Sequence, residues 1–253
     1  MKKVTLNNIK SYKKNNRGIS SITSYDASFA KLLDELGVDI VLVGDSLGEV
    51  VHGSRNTHSV TMTDMIYHTR CVARGLKRAY LISDMPKNSY KSKRQALHNA
   101  KKLLGKNLAN MVKLETTIDD VDIIKHLVEK NIPVCGHIGV RPQLLKSKKE
   151  YKKIGNNSNE RDNLINEAKA IELAGVKLMI VECVDSIVAK IITESLKIPV
   201  IGIGSGKHCD GQIRVVYDIL GLSFNGLPGF IEKNSKPSLK DIFMKYIKSV
   251  KKK

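Results

Sequence analysis

Three carboxylates stand at the carboxyl ends of short, largely apolar runs: Asp45, Asp84 and Glu115. If these runs are parallel strands, their carboxyl ends meet at one rim and the acidic side chains come together. Unscreened carboxylates repel one another and raise one another's pKa values, and a hard divalent cation relieves that repulsion. Mg²⁺ is the usual ion at sites built of carboxylates and water. The pattern therefore indicates an Mg²⁺ site. Taken singly, Asp45 and Asp84 could instead cap helices, and Glu115 could pair with Lys113.

Two further polar residues follow the same pattern. Lys113 lies two positions before Glu115 in one predicted strand, so both side chains point to the same side. A cation beside an acidic cluster is well placed to hold an anionic substrate, although an internal ion pair would give the same pattern. His137 follows Gly136 at another strand end, where it could donate a hydrogen bond to a substrate or be a satisfied core histidine.

Glu182 closes the most apolar of these runs, residues 178–181. A carboxylate in an apolar setting suits general-base catalysis, while capping of the helix that begins near Ser186 is the simpler alternative. The glycine-rich turn at 202–206 (GIGSG) lacks the spacing of a dinucleotide fingerprint or a P-loop. That turn indicates only a close backbone approach, either to a ligand or to a neighbouring strand.

The alternation of apolar runs with helical segments predicts an α/β protein with a parallel sheet. A chain of 253 residues suits a single (β/α)8 barrel, which typically takes roughly 250. We therefore expect one domain over 1–253, with a short lead-in outside the barrel and an amphipathic C-terminal helix. The irregular stretch at 142–162 could be a lid or a mobile surface loop. The predicted strands are 18–26 (with a turn), 40–43, 79–83, 110–114, a run after Pro133, 178–181, 200–203 and 212–217.

Composition narrows the function classes. The net charge of +18 suggests nucleic acid as a partner, but the lysines are dispersed, aromatic residues are 5% and tryptophan is absent, which disfavours base stacking. The charge could instead steer anionic substrates. No apolar run approaches the roughly 20 residues of a membrane span, and the amino terminus has no export-type apolar segment. The four cysteines lack metal-site or redox spacing. We expect a cytoplasmic protein with reduced thiols and no nucleic-acid or membrane partner.

Six motifs, in order along residues 5–234, make the chain resemble the ketopantoate (3-methyl-2-oxobutanoate) hydroxymethyltransferase family. The motifs are ITSYD at 22–26, VLVGDS at 41–46, DMP at 84–86, NMVKLE at 110–115, PVCGH at 133–137 and PVIGIGSG at 199–206. The resemblance implies a TIM barrel of the phosphoenolpyruvate/pyruvate-type superfamily. It also implies transfer of a one-carbon unit from 5,10-methylenetetrahydrofolate to 3-methyl-2-oxobutanoate, which gives 2-dehydropantoate and tetrahydrofolate in pantothenate synthesis. A cytoplasmic homo-oligomer, decameric in well-known members, is expected by the same analogy.

The resemblance also implies roles for individual residues. The proton acceptor would be Glu182. The keto acid would contact Asp45, Ser46, Asp84 and Lys113, with His137 beside it, and Mg²⁺ would be held by Asp45, Asp84 and Glu115.

The chain departs from the family pattern at residues 87–88, at 116–117 and in the loop 151–156. These departures predict changes in the lid, in substrate affinity and in rate. Two other functions remain open: another Mg²⁺-dependent keto-acid lyase or decarboxylase of the same superfamily, and a basic nucleic-acid-binding protein.

Overall fold

The structure, a computed structural model, describes residues 2–147, 150–226, 228–229 and 239–252. Within these residues the strands form a closed barrel in which each strand pairs in parallel with the next and the last pairs with the first. Alternating helices surround the barrel, so the predicted (β/α)8 architecture is confirmed. The strands are β1 (Ile19–Thr23), β2 (Ile40–Val43), β3 (Tyr80–Asp84), β4 (Met111–Glu115), β5 (Val134–Gly139), β6 (Leu178–Glu182), β7 (Val200–Ile203) and β8 (Gly211–Arg214).

Apart from the first, the helices follow strands along the chain, and the longer ones pack on the outer face of the barrel. Short 3₁₀ turns at Thr57–Ser59 and Ile118–Asp120 precede two of them. Among the described residues, none of the helices combines the length and apolar character needed to span a bilayer. The helices are α1 (Leu6–Lys14), α2 (Ala27–Glu35), α3 (Leu47–Val50), α4 (Met62–Gly75), α5 (Lys93–Leu103), α6 (Val121–Glu129), α7 (Ser158–Leu173), α8 (Ser186–Ser195), α9 (Val216–Leu220) and α10 (Leu239–Lys251).

Two apolar layers hold the barrel together. The outer layer lies between the strands and the helices, and the inner layer fills the barrel. Side chains that alternate along each strand enter the two layers in turn, as Val41 and Leu42 do on β2. Because parallel strands are covered on both faces, these runs are almost continuously apolar.

The amino-terminal segment, expected as a short lead-in outside the barrel, forms a helix. It forms α1, which begins with a capping box between Thr5 and Asn8. Ile9 is fully buried among the side chains of the barrel interior. Lys13 Nζ lies 2.9 Å from Asp210 Oδ2, in the turn that enters β8. The helix therefore covers the amino-terminal end of the barrel and leaves the carboxyl end open.

The eighth strand and the irregular stretch also differ from prediction. The strand occupies Gly211–Arg214 rather than 212–217, since α9 begins at Val216. Helix α7 begins at Ser158, so the irregular stretch is shorter than expected. Helix α8 begins at Ser186, and its cap is Asp185, whose Oδ1 accepts the backbone N–H of Ile187 at 2.9 Å, rather than Glu182. The apolar run after β8 gives no periodicity signal that separates a strand from a single helical turn.

Asp34, on α2, provides a test of how the loop before β3 is held. Its carboxylate is buried and accepts the backbone N–H groups of Lys77, Arg78 and Ala79 at 2.7–3.1 Å. Asp34→Ala leaves those donors unpaired, so we expect the free energy of unfolding in urea to fall by about 2–4 kcal/mol. The matched control is Glu35→Ala, an exposed neighbour, with an expected change within about 0.5 kcal/mol. Equal losses in the two variants would contradict this role for Asp34.

Candidate active site

A large pocket opens at the carboxyl ends of the strands. Its volume is about 720 Å³, and every strand of the barrel lies under it or beside it. All the side chains singled out above as site residues line this pocket. They are Asp45, Ser46, Asp84, Lys113, Glu115, His137 and Glu182.

Asp45 and Asp84 lie side by side at the ends of β2 and β3. The backbone N–H of Asp45 donates to Asp84 Oδ2 at 3.1 Å, and Asp84 Oδ1 lies 3.1 Å from Lys113 Nζ. Both carboxyl groups are almost completely buried. Neither caps a helix: the N-cap of α3 is Ser46, which makes no side-chain cap, and the N-cap of α5 is Ser92. The capping alternative for these two residues is therefore wrong.

Gln143 joins the acidic residues to one another, a role that the sequence did not indicate. Its side-chain Nε2 donates to Asp45 Oδ2 at 2.7 Å, and its backbone N–H donates to Glu115 Oε2 at 2.9 Å. Tyr90 Oη completes the arrangement by donating to Gln143 Oε1 at 2.7 Å. Gln143 belongs to the stretch predicted as an irregular loop, so that loop contributes directly to the wall of the pocket.

Asp45, Asp84 and Glu115 together form an acidic wall of the pocket, which carries an excess of negative charge. Burial raises the pKa of Asp84 to about 6, with Lys113 opposing the shift and Asp45 adding to it. Burial also raises the pKa values of Asp45 and Glu115 above their usual range. Although burial lowers the pKa of Lys113, the charges of Asp84, Asp45 and Glu115 outweigh it and raise that pKa. One ammonium group thus faces several carboxylates in a region of low dielectric.

This donor set fits a hard divalent cation. The three carboxylates offer only oxygen, and Asp84 Oδ1 is buried without a hydrogen bond of acceptable geometry. Within the described residues, no three acidic, histidine or cysteine side chains are already arranged as ligands of one ion. The N–H groups of Gln143 occupy Asp45 Oδ2 and Glu115 Oε2 instead. Gln143 contacts only one oxygen of each carboxylate, so the second oxygen of each is the one that would hold a cation.

His137 lies between the acidic wall and Glu182. Its Nδ1 is 3.3 Å from Lys113 Nζ and 4.0 Å from Glu115 Oε1. Its Nε2 is 3.2 Å from Glu182 Oε2 but is poorly aligned for a hydrogen bond. Burial and the charge of Lys113 lower the pKa of this imidazole, which favours the neutral ring. The ring lines the pocket, so it is not a histidine enclosed in the core.

Glu182 is held at the end of β6 by two neighbours. Tyr151 Oη donates to Glu182 Oε1 at 2.5 Å, while His137 stands at the other oxygen. Burial raises the pKa of Tyr151, which keeps the phenol protonated and able to donate. Tyr151 belongs to the loop 151–156, one of the departures from the family pattern, and that loop joins the barrel through a bridge from Ile154 to Val184.

The backbone after Glu182 is bent sharply. Cys183 adopts a left-handed conformation, with φ of 50°, which is uncommon for a residue other than glycine. Ser205, inside the glycine-rich turn, fixes the bend because its Oγ donates to Val181 O at 2.9 Å and accepts from Val184 N at 3.0 Å. The turn therefore serves to orient Glu182.

The glycines of that turn approach neighbouring chain segments closely. A Cβ added at Gly202 would lie 2.9 Å from Cys209 Sγ, and one at Gly206 would lie 2.2 Å from Ser186 Oγ. Gly206 also has φ of 80°. Of the two alternatives for the turn, packing against neighbouring protein is the one observed.

Ser46 and Tyr25 form a hydroxyl pair beside the acidic wall. Tyr25 Oη and Ser46 Oγ are 2.8 Å apart, and the phenol is almost fully buried. Burial is the main cause of the raised pKa of Tyr25. Tyr25 belongs to the motif at 22–26 but was not singled out, because a tyrosine at a strand end has many structural uses.

The other departures from the family pattern have structural partners. Lys87 Nζ lies 3.2 Å from His58 Nε2 at the pocket rim, and Asn88 has φ of 67°. Thr116 is buried, and its Oγ1 donates to His137 O at 3.0 Å. The residue at 116 thus supports the backbone that carries His137.

Asp84 predicts a pH dependence of stability in the metal-free protein. With the pKa raised from 3.8 to about 6, the folded protein keeps a proton that the unfolded chain loses. This contribution to the free energy of unfolding is full below the lower value and is lost as the pH rises through about 6. In Asp84→Asn it should be absent, so wild type loses more stability between about pH 4.5 and pH 7.5. Melting temperatures of wild type and Asp84→Asn that change equally with pH would contradict the raised pKa of Asp84.

Comparison with known proteins assigns the family. The model of the ketopantoate hydroxymethyltransferase family matches residues 3–253. The 3-methyl-2-oxobutanoate hydroxymethyltransferase of Shewanella amazonensis is 46% identical over 230 residues, which is 91% of this chain and 87% of that protein. The enzyme of the same name from Shewanella sediminis is 44% identical over 252 residues, which is 99% of this chain and 95% of that protein.

Solved structures agree with the fold. Phosphonopyruvate hydrolase, in a complex with oxalate and Mg²⁺, superposes with a TM-score of 0.63 at 11% identity, covering 84% of this chain and 80% of that one. The 2,3-dimethylmalate lyase, a member of the PEP mutase/isocitrate lyase superfamily, gives 0.61 at 12% identity, covering 94% of both chains. With its barrel, its pocket and its relatives in agreement, this chain belongs to the ketopantoate hydroxymethyltransferase family, whose members transfer a hydroxymethyl group.

Proposed function

We propose that the chain transfers a one-carbon unit from 5,10-methylenetetrahydrofolate to 3-methyl-2-oxobutanoate, producing 2-dehydropantoate and tetrahydrofolate. The observation that carries this proposal is the division of one pocket between an acidic wall and a separate carboxylate. Asp45, Asp84 and Glu115 form the wall, and Glu182 stands apart from them behind His137. An α-keto acid needs both parts, since one end must be gripped while a proton is removed near the other.

Glu182 is the proposed general base. It would accept the proton on C3 of the keto acid, the branched carbon next to the carbonyl, and that carbon then becomes the nucleophile. The hydrogen bond from Tyr151 at Oε1 fixes the carboxylate and leaves Oε2 on the side of His137. A base held by the phenol of Tyr151 keeps its alignment without a reorganisation cost during proton transfer.

Lys113 and the acidic wall would bind the oxygens of the keto acid. The raised pKa of Lys113 keeps a permanent positive charge where negative charge develops on the keto oxygen. Asp45, Asp84 and Glu115 are the proposed residues that hold Mg²⁺, and Ser46 with His137 would contact the acid. When bound, Mg²⁺ would supply a Lewis acid for the keto and carboxylate oxygens.

The transfer consumes one water molecule. The new carbon–carbon bond joins C3 to the methylene carbon of the folate, and both carbon–nitrogen bonds of that carbon break. The oxygen of water becomes the hydroxyl of the product, and protons return to the two nitrogens of tetrahydrofolate. A mostly buried site keeps other water away from the carbanion, which limits its reprotonation.

The proposal is tested by incubating the purified protein with both substrates and measuring 2-dehydropantoate by mass spectrometry. We expect product in the presence of Mg²⁺, loss of product on chelation, and recovery when Mg²⁺ is restored. Absence of turnover together with cleavage of a different keto acid would favour the lyase alternative. Salt-sensitive retention on DNA or RNA, without turnover, would favour the nucleic-acid-binding alternative.

We also propose a cytoplasmic homo-oligomer. Large apolar side chains are exposed on the outer helices, among them Tyr67, Leu173 and Ile187, and such side chains favour burial between subunits. The described cysteines are free thiols, three of them buried, which suits a reducing compartment. Light scattering would measure the mass, and family analogy predicts a decamer. A monomer at micromolar concentration would contradict the assembly.

A further inference from the structure

One carboxylate in the pocket has no part in the chemistry described so far. Asp218 is 7% exposed and lines the pocket from α9, which follows β8, whereas Asp45, Asp84 and Glu115 stand at the ends of β2, β3 and β4. Apolar side chains from β7, from β8 and from the turn after β8 line the same pocket: Ile203, Ile213 and Val215. A carboxylate in a pocket with such apolar walls suits a ligand that is flat, apolar on its faces and rich in N–H donors along one edge.

The pocket is larger than the keto acid alone would fill. A five-carbon keto acid fills only a small part of about 720 Å³, a volume within the range of roughly 300–1,000 Å³ that holds drug-sized molecules. The acidic wall and Glu182 account for the keto acid. Asp218 lines the same pocket, and Glu182 is near enough for its charge to contribute to the raised pKa of the Asp218 carboxyl. A ligand anchored at Asp218 therefore extends toward the reacting carbon.

We infer that Asp218 binds the 2-amino-4-oxopyrimidine edge of the tetrahydrofolate, whose N3–H and 2-amino N–H form a parallel pair of donors. This inference rests on the proposed function and adds the folate subsite to it. Two parallel donors match the two oxygens of a carboxylate in the same way as the fork of an arginine does. The apolar side chains around Asp218 would cover the faces of the ring.

The surroundings of Asp218 hold its carboxylate in place. At the start of α9 the backbone N–H of Val216 donates to Thr23 Oγ1 at 2.9 Å, which connects this helix to β1. Ser223 Oγ donates to Asp218 Oδ1. Burial raises the pKa of Asp218, whereas Ser223 and the charge of Arg214 lower it. The carboxylate is thus preorganised on a fixed element of the barrel rim, as a recognition group requires.

The test measures binding of tetrahydrofolate to the full chain by calorimetry. In Asp218→Asn the amide would direct an N–H group at a donor of the ring, so we expect a 10- to 100-fold weaker Kd and a comparable rise in KM for methylenetetrahydrofolate. The Kd for 3-methyl-2-oxobutanoate with Mg²⁺ should stay within about twofold, which shows an intact fold and acidic wall. Equal tetrahydrofolate affinity in the variant and wild type would overturn the inference.

Two controls distinguish binding of the ligand by Asp218 from a structural role of Asp218 in holding the loop through Ser223. Ser223→Ala removes the hydrogen bond from Ser223 to Asp218 but keeps the carboxylate, so the Kd for tetrahydrofolate should change by about threefold or less. A loss of affinity equal to that of Asp218→Asn would overturn the inference. An analogue with methyl in place of the 2-amino group should bind wild type at least tenfold more weakly, yet bind Asp218→Asn almost as well as tetrahydrofolate. A wild type that neither binds tetrahydrofolate nor turns over would instead contradict the proposed function itself.

Discussion

Glu182→Gln is expected to lower the turnover number by about 10³-fold and to abolish exchange of the C3 proton of 3-methyl-2-oxobutanoate with deuterium oxide. A glutamine is nearly the same size but cannot accept a proton, and general-base catalysis typically contributes 10²- to 10⁴-fold. Exchange is followed by proton NMR without folate, so the result reports on proton removal alone. Mg²⁺ binding should be unaffected, because the acidic wall does not include Glu182.

Tyr151→Phe provides the comparison for that experiment. It removes the hydrogen bond to Glu182 Oε1 while leaving the carboxylate, so a loss of about tenfold in exchange rate is expected. Exchange rates that fall from wild type through Tyr151→Phe to Glu182→Gln would fit a base, Glu182, that is positioned by the phenol of Tyr151. Exchange at the wild-type rate in Glu182→Gln would show that another group removes the proton.

Asp84→Asn is expected to weaken Mg²⁺ binding at least tenfold and to reduce turnover at subsaturating Mg²⁺ by the same factor. The substitution keeps an oxygen that can accept the backbone N–H of Asp45, but it removes one charge from the acidic wall. It also removes the ion pair with Lys113, so the ammonium group of Lys113 is no longer neutralised by Asp84 and repels the cation more strongly. Calorimetric titration with Mg²⁺ measures the affinity directly.

Asp122→Asn is the matched control for the loss of one negative charge. Asp122 lies on α6, is exposed and does not line the pocket, so its effect on Mg²⁺ affinity should be within about twofold. Unchanged affinity in Asp84→Asn would refute a role for Asp84 in holding the cation. A similar loss in both variants would indicate a general effect of net charge.

The barrel and the position of its site could be predicted because each strand is a short apolar run that ends in a distinctive residue. Parallel strands place those ends at one rim, so Asp45, Asp84 and Glu182 could be assigned to one pocket without any contact information. The end of the eighth strand could not be predicted, since the apolar run after Arg214 fits a helical turn as well as a strand. The helix α1 carried a signal that was not used, the pair of Thr5 and Asn8 three residues apart.

The residues that the sequence did not reveal are those that act across long separations in the chain. Gln143 contacts Asp45 across 98 positions, and Tyr151 contacts Glu182 across 31. Both belong to a polar segment rich in lysine, asparagine and serine, whose composition is that of an ordinary surface loop. No spacing rule identifies such residues, because their role depends on where the loop returns to the barrel.

The most direct test is a crystal structure of the protein with Mg²⁺ and 3-methyl-2-oxobutanoate. We expect one cation bound by oxygens of Asp45 and Asp84, directly at about 2.1 Å or through water, with Glu115 in the same coordination sphere or one water removed. The keto acid should chelate that cation and present C3 to Glu182. A cation bound elsewhere, or a keto acid whose C3 points away from Glu182, would contradict the account.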